Sequence, residues 1–266
     1  AQLLIGGNGD DALYGYADLD NVLVGNGGND RLYGREGSDT LTGGAGDDYL
    51  SGGAGSDTYR FGPGGGHDTL VDFGHEETLD DIDVLELSAG VSPGDVTVRW
   101  TRIGDMTVHL ASDDSVRIIG QNDDWANSGI EILRFVDGTE WDRAELAARA
   151  TIGTDGDDVI VGSYEDDVFD GGPGNDRFED HDGYDTYRFG AGDGNDEIRD
   201  ISGRIEFKPD VAPADVMFSR DGDDLVVTVS PAADSLRILA WFSSQRRIDR
   251  FDFADGNFYT ETDVRS

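Results

Sequence analysis

The sequence predicts an all-β chain in two tandem copies, each a stack of very short strands followed by a β-rich closing segment. Three observations carry this expectation. A nine-residue pattern recurs with glycines at positions one, two and four, aspartate at six and a large apolar residue at eight. The pattern is written twice, with a segment of different composition after each array. The 266 residues include 39 glycines and only 36% hydrophobic side chains. One apolar side chain per repeat, stacked coil on coil, must therefore build the core.

The first array, residues 1–70, aligns Gly6-Gly-Asn-Gly-Asp-Asp-Ala-Leu-Tyr14 with Gly43-Gly-Ala-Gly-Asp-Asp-Tyr-Leu-Ser51 and Gly52-Gly-Ala-Gly-Ser-Asp-Thr-Tyr-Arg60. Its sixth-position aspartates are assigned as Asp11, Asp20, Asp30, Asp39, Asp48 and Asp57, with one extra residue between Asp20 and Asp30 and a degenerate unit ending in Asp68. The eighth positions then read Leu13, Val22, Leu32, Leu41, Leu50, Tyr59 and Leu70. Residues 71–150 form the first closing segment and a linker helix. The second array, residues 151–198, carries Asp158, Asp167, Asp176, Asp185 and Asp196, with Ile160, Phe169, Phe178, Tyr187 and Ile198 two residues on; residues 199–266 close it. Duplication shows in the words Asp57-Thr-Tyr-Arg-Phe-Gly62 and Asp185-Thr-Tyr-Arg-Phe-Gly190. Leu4, at the eighth position of an incomplete nonamer, makes the chain read as a piece of a longer protein.

Fifty-seven acidic against 20 basic side chains give a formal charge of −37. That balance argues against nucleic acid and anionic membrane surfaces as partners, because both need a basic face. Cysteine is absent, so neither disulfides nor thiolate metal sites are available. No apolar run approaches the ~18 residues of a membrane span. Cations are the natural counterpart.

Glycines at positions one, two and four allow left-handed backbone, so the first six residues of each unit read as a tight turn and the last three as a strand. Two units per coil place each turn over the turn about eighteen residues later. This geometry pairs Asp11/Asp30, Asp20/Asp39, Asp30/Asp48, Asp39/Asp57, Asp48/Asp68, Asp158/Asp176, Asp167/Asp185 and Asp176/Asp196. Unneutralised, such carboxylate columns repel. Ca2+ resolves the conflict by taking six to eight oxygens from carboxylates and backbone carbonyls, whereas Mg2+ demands stricter octahedral geometry and keeps its waters. With dissociation constants of ~0.1–1 mM and ~2 mM free calcium, each site stabilises the folded chain by roughly 0.7–1.8 kcal/mol. Summed over eight sites this matches the whole stability of an ordinary domain, so the ion-free chain is expected to be largely disordered.

These motifs resemble the repeats-in-toxin (RTX) family, whose nonapeptide is an established calcium-binding solenoid repeat. The resemblance implies two tandem calcium-loaded parallel β-rolls, each followed by a small β-rich capping region. It also implies that each ion is held by carbonyls of positions two and four plus the aspartate of one turn, and by carbonyls of positions one and three plus the aspartate of the next. Carried over, Gly7, Gly9 and Asp11 face Gly25, Gly27 and Asp30, while Gly44, Gly46 and Asp48 face the turn ending in Asp68. The further glycines that the resemblance assigns to metal binding are Gly28, Gly34, Gly37, Gly43 and Gly52 in the first array and Gly156, Gly171, Gly172 and Gly174 in the second. Asp18, at a fourth position, and Asp180 and Asp182, at positions one and three, depart from the pattern.

Residues 71–140 and 199–260 alternate apolar and polar residues, and Ile103-Gly-Asp105 and Asp221-Gly-Asp223 look like hairpin turns. They resemble the haemolysin-type calcium-binding-related region that caps such rolls, and a cap is physically required because a terminal coil exposes apolar side chains and unpaired backbone. One helix is expected at Asp142-Arg-Ala-Glu-Leu-Ala-Ala-Arg149, with Asp142 as N-cap and Glu145 completing a capping box. Glu261 to Ser266 carry no recognisable signal.

No catalytic constellation stands out: H-E-x-x-H and a cysteine nucleophile are both missing. Gly7-Asn-Gly-Asp-Asp-Ala12 fits a dinucleotide fingerprint, but its carboxylates would repel a pyrophosphate. His67, His75, His109 and His181 have no metal spacing and read as surface residues. Trp100, Trp125, Trp141 and Trp241 read as core or cap packing ahead of sugar-stacking platforms. Arg246, Arg247 and Arg250 read as neutralising local carboxylates. The expected function is non-enzymatic: a monomeric calcium-binding module that folds outside the cell, within a larger secreted or surface bacterial protein of adhesin or toxin type. The resemblance implies export by type I secretion. The alternative is an accessory folding or polysaccharide-binding module of an exported hydrolase or epimerase, with a cell-surface or polysaccharide ligand.

Overall fold

A computed structural model of the chain describes every residue except 74–80, 122–127, 181, 200–201, 233, 244–247 and 266. His75, Trp125, His181, Arg246 and Arg247 therefore lie outside the described residues. The chain divides into two compact units, Ala1–Arg149 and Ala150–Ser266. Among the described residues no helix is long and apolar enough to cross a membrane.

In the first unit the repeats coil into two facing parallel sheets, as an alternation of turn and strand every nine residues requires. One sheet runs, neighbour by neighbour, through Gln2–Ile5, Asn21–Gly27, Thr40–Ala45, Thr58–Phe61, Val84–Leu87, Ile132–Arg134 and Glu140–Asp142. The other runs through Val96–Trp100, Met106–Leu110, Ser115–Ile119, His67–Val71, Tyr49–Ala54, Arg31–Glu36 and Ala12–Tyr14. Side chains alternate across a strand, so one residue per coil points inward. Leu23, Leu32, Leu41, Leu50, Tyr59 and Leu70 all fill this position and are essentially inaccessible.

The closing segments are not separate layers laid over the rolls. They continue the same sheets. Ser115–Ile119 pairs in parallel with the roll strand His67–Val71, and only beyond it do Met106–Leu110 and Val96–Trp100 pair antiparallel. Val84–Leu87 and Ile132–Arg134 extend the opposite sheet in parallel before Glu140–Asp142 reverses direction. The second unit repeats this plan with sheets of six and five strands, in which Asp234–Ile238 and Ile248–Asp252 are the parallel junction strands. Both anticipated hairpins are present, joining Trp100 to Met106 and Asp221 to Asp224.

The helix spans Arg143–Ala150, with the Glu145 backbone N–H donating to Asp142 Oδ1 at 2.9 Å and the Glu145 carboxylate paired with Arg149 at 2.6 Å. A second helix, Glu261–Arg265, forms where no signal was read. Thr260 and Asp263 cap it, the Thr260 N–H donating to Asp263 Oδ2 at 2.8 Å. The spacing T-x-x-D is a shorter-armed version of the capping box and was readable at 260–263.

The candidate cation ladder

Each sixth-position aspartate lies at the mouth of a turn and is held by the coil before it. In one column of the first unit, the backbone N–H of Asp11 donates to Asp30 Oδ1 (2.7 Å), that of Asp30 to Asp48 Oδ1 (2.7 Å) and that of Asp48 to Asp68 Oδ1 (3.0 Å). In the opposite column Asp39 N–H donates to Asp57 Oδ1 at 2.6 Å. The second unit repeats the contact from Asp158 to Asp176, Asp176 to Asp196 and Asp167 to Asp185, each at 2.9 Å. Seven of the eight anticipated pairs are thereby brought together.

The eighth, Asp20/Asp39, is not. Asn21 occupies the sixth position: it pairs with Gln2, its backbone N–H donates to Asp39 Oδ1 at 2.6 Å, and its side-chain Nδ2 donates to the same oxygen at 2.9 Å. Asp20 sits at position five, exposed, and accepts the backbone N–H of Ser38, as Asp10 accepts that of Asn29 and Asp47 that of His67. The extra residue therefore falls in the turn between Tyr14 and Asn21, where Asp18 turns left-handed (φ 61°), and the buried eighth position is Leu23 instead of Val22. An amide that donates in place of a carboxylate that repels removes the need for an ion at that step.

In the regular turns glycine at position one makes room for the sixth-position carboxylate. A Cβ on Gly43 would lie 2.1 Å from Asp48 Oδ2, the oxygen not used in the ladder. Gly25, Gly34, Gly52 and Gly171 meet the same obstacle with Asp30, Asp39, Asp57 and Asp176. In the inner turns of the first unit positions two and four are left-handed, as in Gly44 at φ 117° and Gly46 at 133°, and Asn26 and Arg35 also take position two. The turns stack carbonyl to amide. Gly27 N–H donates to Gly7 O (3.3 Å), Gly28 N–H to Ala45 O (3.0 Å), Gly37 N–H to Ala54 O (2.9 Å) and Gly46 N–H to Gly65 O (3.0 Å). Gly7, Gly9 and Asp11 thus stack on Gly25, Gly27 and Asp30, and Gly44, Gly46 and Asp48 stack on the turn that ends at Asp68. In the second unit Gly174 stacks on Gly156, and Gly172 is left-handed (φ 79°).

The electrostatics are unfavourable as they stand. Asp30, Asp39, Asp48, Asp57, Asp68 and Asp176 are at most 3% exposed. Oδ2 of Asp30, Asp39, Asp48, Asp57 and Asp176 has no hydrogen-bond partner. A buried carboxylate oxygen without a partner is costly. Burial, reinforced by neighbouring carboxylates, pushes Asp57 and Asp68 up to about 8 and Asp196 up to about 7, and raises Asp39, Asp48, Asp167 and Asp176. Orphaned anionic oxygens beside turns rich in backbone carbonyls make an all-oxygen donor set, which suits a hard divalent cation of calcium type.

The cap regions contribute aspartates that repeat counting missed. Asp83 continues the second column, its Oδ1 accepting Asp57 N–H at 2.7 Å. Asp114 accepts Gly64 N–H and Gly66 N–H, both at 2.9 Å, and Asp234 accepts Gly192 N–H at 2.6 Å, so each cap closes a degenerate glycine turn with one carboxylate. Asp180, at position one, clusters with Asp167 and Asp185. Trp100, Trp141 and Trp241 are buried and Arg250 pairs with Asp252 at 2.7 Å, as packing and local neutralisation predict.

The chain matches the RTX calcium-binding nonapeptide repeat (4 copies) over residues 24–59 and 152–187, and the haemolysin-type calcium binding protein related domain over 224–263. No curated protein matches it. Among solved structures it is similar to the extracellular lipase LipA from Serratia marcescens, at 16% identity and a TM-score of 0.26. That alignment covers 90% of this chain and 38% of the lipase, so the chain spans well under half the length of that relative.

Proposed function

We propose, for a chain built of RTX calcium-binding repeats and a haemolysin-type calcium-binding-related domain, that it is a non-enzymatic calcium-loaded module of a larger exported bacterial protein of adhesin or toxin type. It folds when it meets extracellular calcium. One observation supports this reading above the others: successive sixth-position carboxylates are buried on one another with their Oδ2 oxygens unpartnered. Such a column of ionised carboxylates repels itself unless cations lie between its rungs. Bound calcium supplies charge neutralisation and binds the folded state alone, so its binding free energy becomes folding free energy.

The ligand pairs are Asp11/Asp30, Asp30/Asp48, Asp39/Asp57, Asp48/Asp68, Asp158/Asp176, Asp167/Asp185 and Asp176/Asp196, with the carbonyls of the glycine turns around them. In a calcium-poor cytosol the chain stays expanded and can be threaded through a type I export channel; outside, it folds. Circular dichroism during a calcium titration tests this. Strand signal should be small in chelator and rise cooperatively with millimolar calcium, and equimolar magnesium should not substitute. Full strand signal in chelator at neutral pH would refute it.

A further inference from the structure

Asp72 stands where the repeat places a glycine. It follows Val71, the last residue of the strand His67–Val71, and so occupies position one of the next unit, whose sixth position is Asp83. In a regular turn a Cβ at position one collides with the Oδ2 of that turn's own sixth aspartate. Here eleven residues instead of five separate the two positions, and a carboxylate stands at position one.

The result is a carboxylate trio. One oxygen from each of Asp57, Asp72 and Asp83 lies within 4.8 Å of the others, and all three residues are 0% exposed. Asp83 Oδ1 accepts Asp57 N–H, and Asp72 Oδ2 accepts the Tyr59 hydroxyl, which itself accepts Gly52 N–H at 2.7 Å. Asp57 Oδ2, Asp72 Oδ1 and Asp83 Oδ2 are left with no hydrogen-bond partner. Arg143, which favours the charged form of Asp83, is engaged by Glu131 at 3.1 Å. Three fully buried carboxylates, each with an orphaned oxygen, form a cage of anionic oxygens.

We propose that Asp57, Asp72 and Asp83 hold a calcium-type cation at the junction of the first roll with its closing strands, a site made by three side chains in place of paired glycine turns. This rests on the reading of the rolls as calcium-bound. The site also ties down the cap: the Asp72 carbonyl accepts Gly129 N–H at 3.0 Å, and the Asp83 carbonyl accepts Glu131 N–H at 2.9 Å and Ile132 N–H at 3.2 Å. An ion here couples docking of the strand Ile132–Arg134 to filling of the roll. The second unit also has an aspartate at position one, there with the regular five-residue spacing to its sixth position: Asp180 lies beside Asp167 and Asp185, its Oδ1 2.1 Å from where a Cβ on Gly162 would stand.

The test is calcium anomalous scattering from crystals of the intact chain grown in calcium chloride. A peak enclosed by Asp57, Asp72 and Asp83 is expected. Peaks between glycine turns with none at the trio would overturn this site alone and leave a shared proton as its neutralising device; no calcium peak anywhere would overturn it together with the reading of the rolls. In solution, Asp72→Asn should bind one calcium fewer per chain than the wild type by direct titration, whereas Asp10→Asn, at an exposed fifth position, should keep the full number. Equal stoichiometry in all three would also overturn the site. If Asp72→Asn does not fold, the wild-type anomalous map decides.

Discussion

The two units share one repeat yet fill it differently. In the first, the inward eighth positions are mostly leucine: Leu23, Leu32, Leu41, Leu50 and Leu70. In the second they are mostly aromatic, and Phe169, Phe178 and Tyr187 form one cluster, with Phe169 stacked on Tyr187 at 4.8 Å and 2° and Phe178 edge-on to both at 5.6 Å. The carboxylate ladder runs the other way. Among the described residues it has five aspartate-to-aspartate rungs in the first unit, from Asp11 to Asp30, Asp48 and Asp68 and from Asp39 to Asp57 and Asp83, but three in the second. A solenoid with one core residue per unit can be held by larger core side chains or by more ions between turns. The first unit is therefore expected to depend more on ions and the second more on its core.

Truncating the aromatic cluster should produce the largest effect. Phe169→Ala, measured by denaturant unfolding in saturating calcium, should cost about 3–5 kcal/mol in the second unit, against about 2–5 kcal/mol for Leu41→Ala in the first. The two substitutions should act on separate transitions. A larger loss from Leu41→Ala would erase the contrast.

Next in size is the ladder itself. Asp48→Ala removes a carboxylate shared by two rungs and, at about 0.7–1.8 kcal/mol per ion, should raise the calcium midpoint severalfold. Asp20→Ala, outside the ladder, should leave it nearly unchanged. Comparable shifts would restore the register that places Asp20 at position six.

A pH dependence separates the units in a third way. Burial lifts Asp57 and Asp68 to about 8 and Asp196 to about 7 in the folded chain, against about 3.9 in an unfolded one. The ion-free fold then binds more protons than the unfolded chain, so its stability falls as pH rises from about 4 through 8. In chelator, strand signal should be greater at pH 5 than at pH 8. Calcium should bind more tightly at pH 8 and release protons as it binds. The first unit, with both aspartates at about 8, should respond more than the second.

Much of this architecture was legible because the repeat is periodic and each position has one physical task. The misplacement of Asp20 arose because acidic Asp20 and polar Asn21, like Val22 and Leu23, can each fill the pattern under a one-residue shift. The run Leu23, Leu32, Leu41 and Leu50, nine residues apart throughout, distinguishes the registers. The continuity of roll and cap was not legible, because Ser115–Ile119 pairs with His67–Val71 across a long stretch of chain and local alternation does not name a partner. Asp72 and Asp83 escaped for a related reason: the segment between them lacks glycine at positions one, two and four and is six residues longer than a regular turn, so only the fold shows that they belong to the ladder.

The central claim is that ions between stacked turns hold the ladder closed. Site-resolved hydrogen exchange on the intact chain tests this most directly, by following the backbone amides of Asp30, Asp39, Asp48 and Asp176, each bonded to the aspartate one coil on. These amides should be strongly protected in calcium and exchange at near-unfolded rates in chelator at neutral pH, with the second unit's aromatic strands losing protection less completely. Equal protection of the four ladder amides with and without calcium would contradict the account.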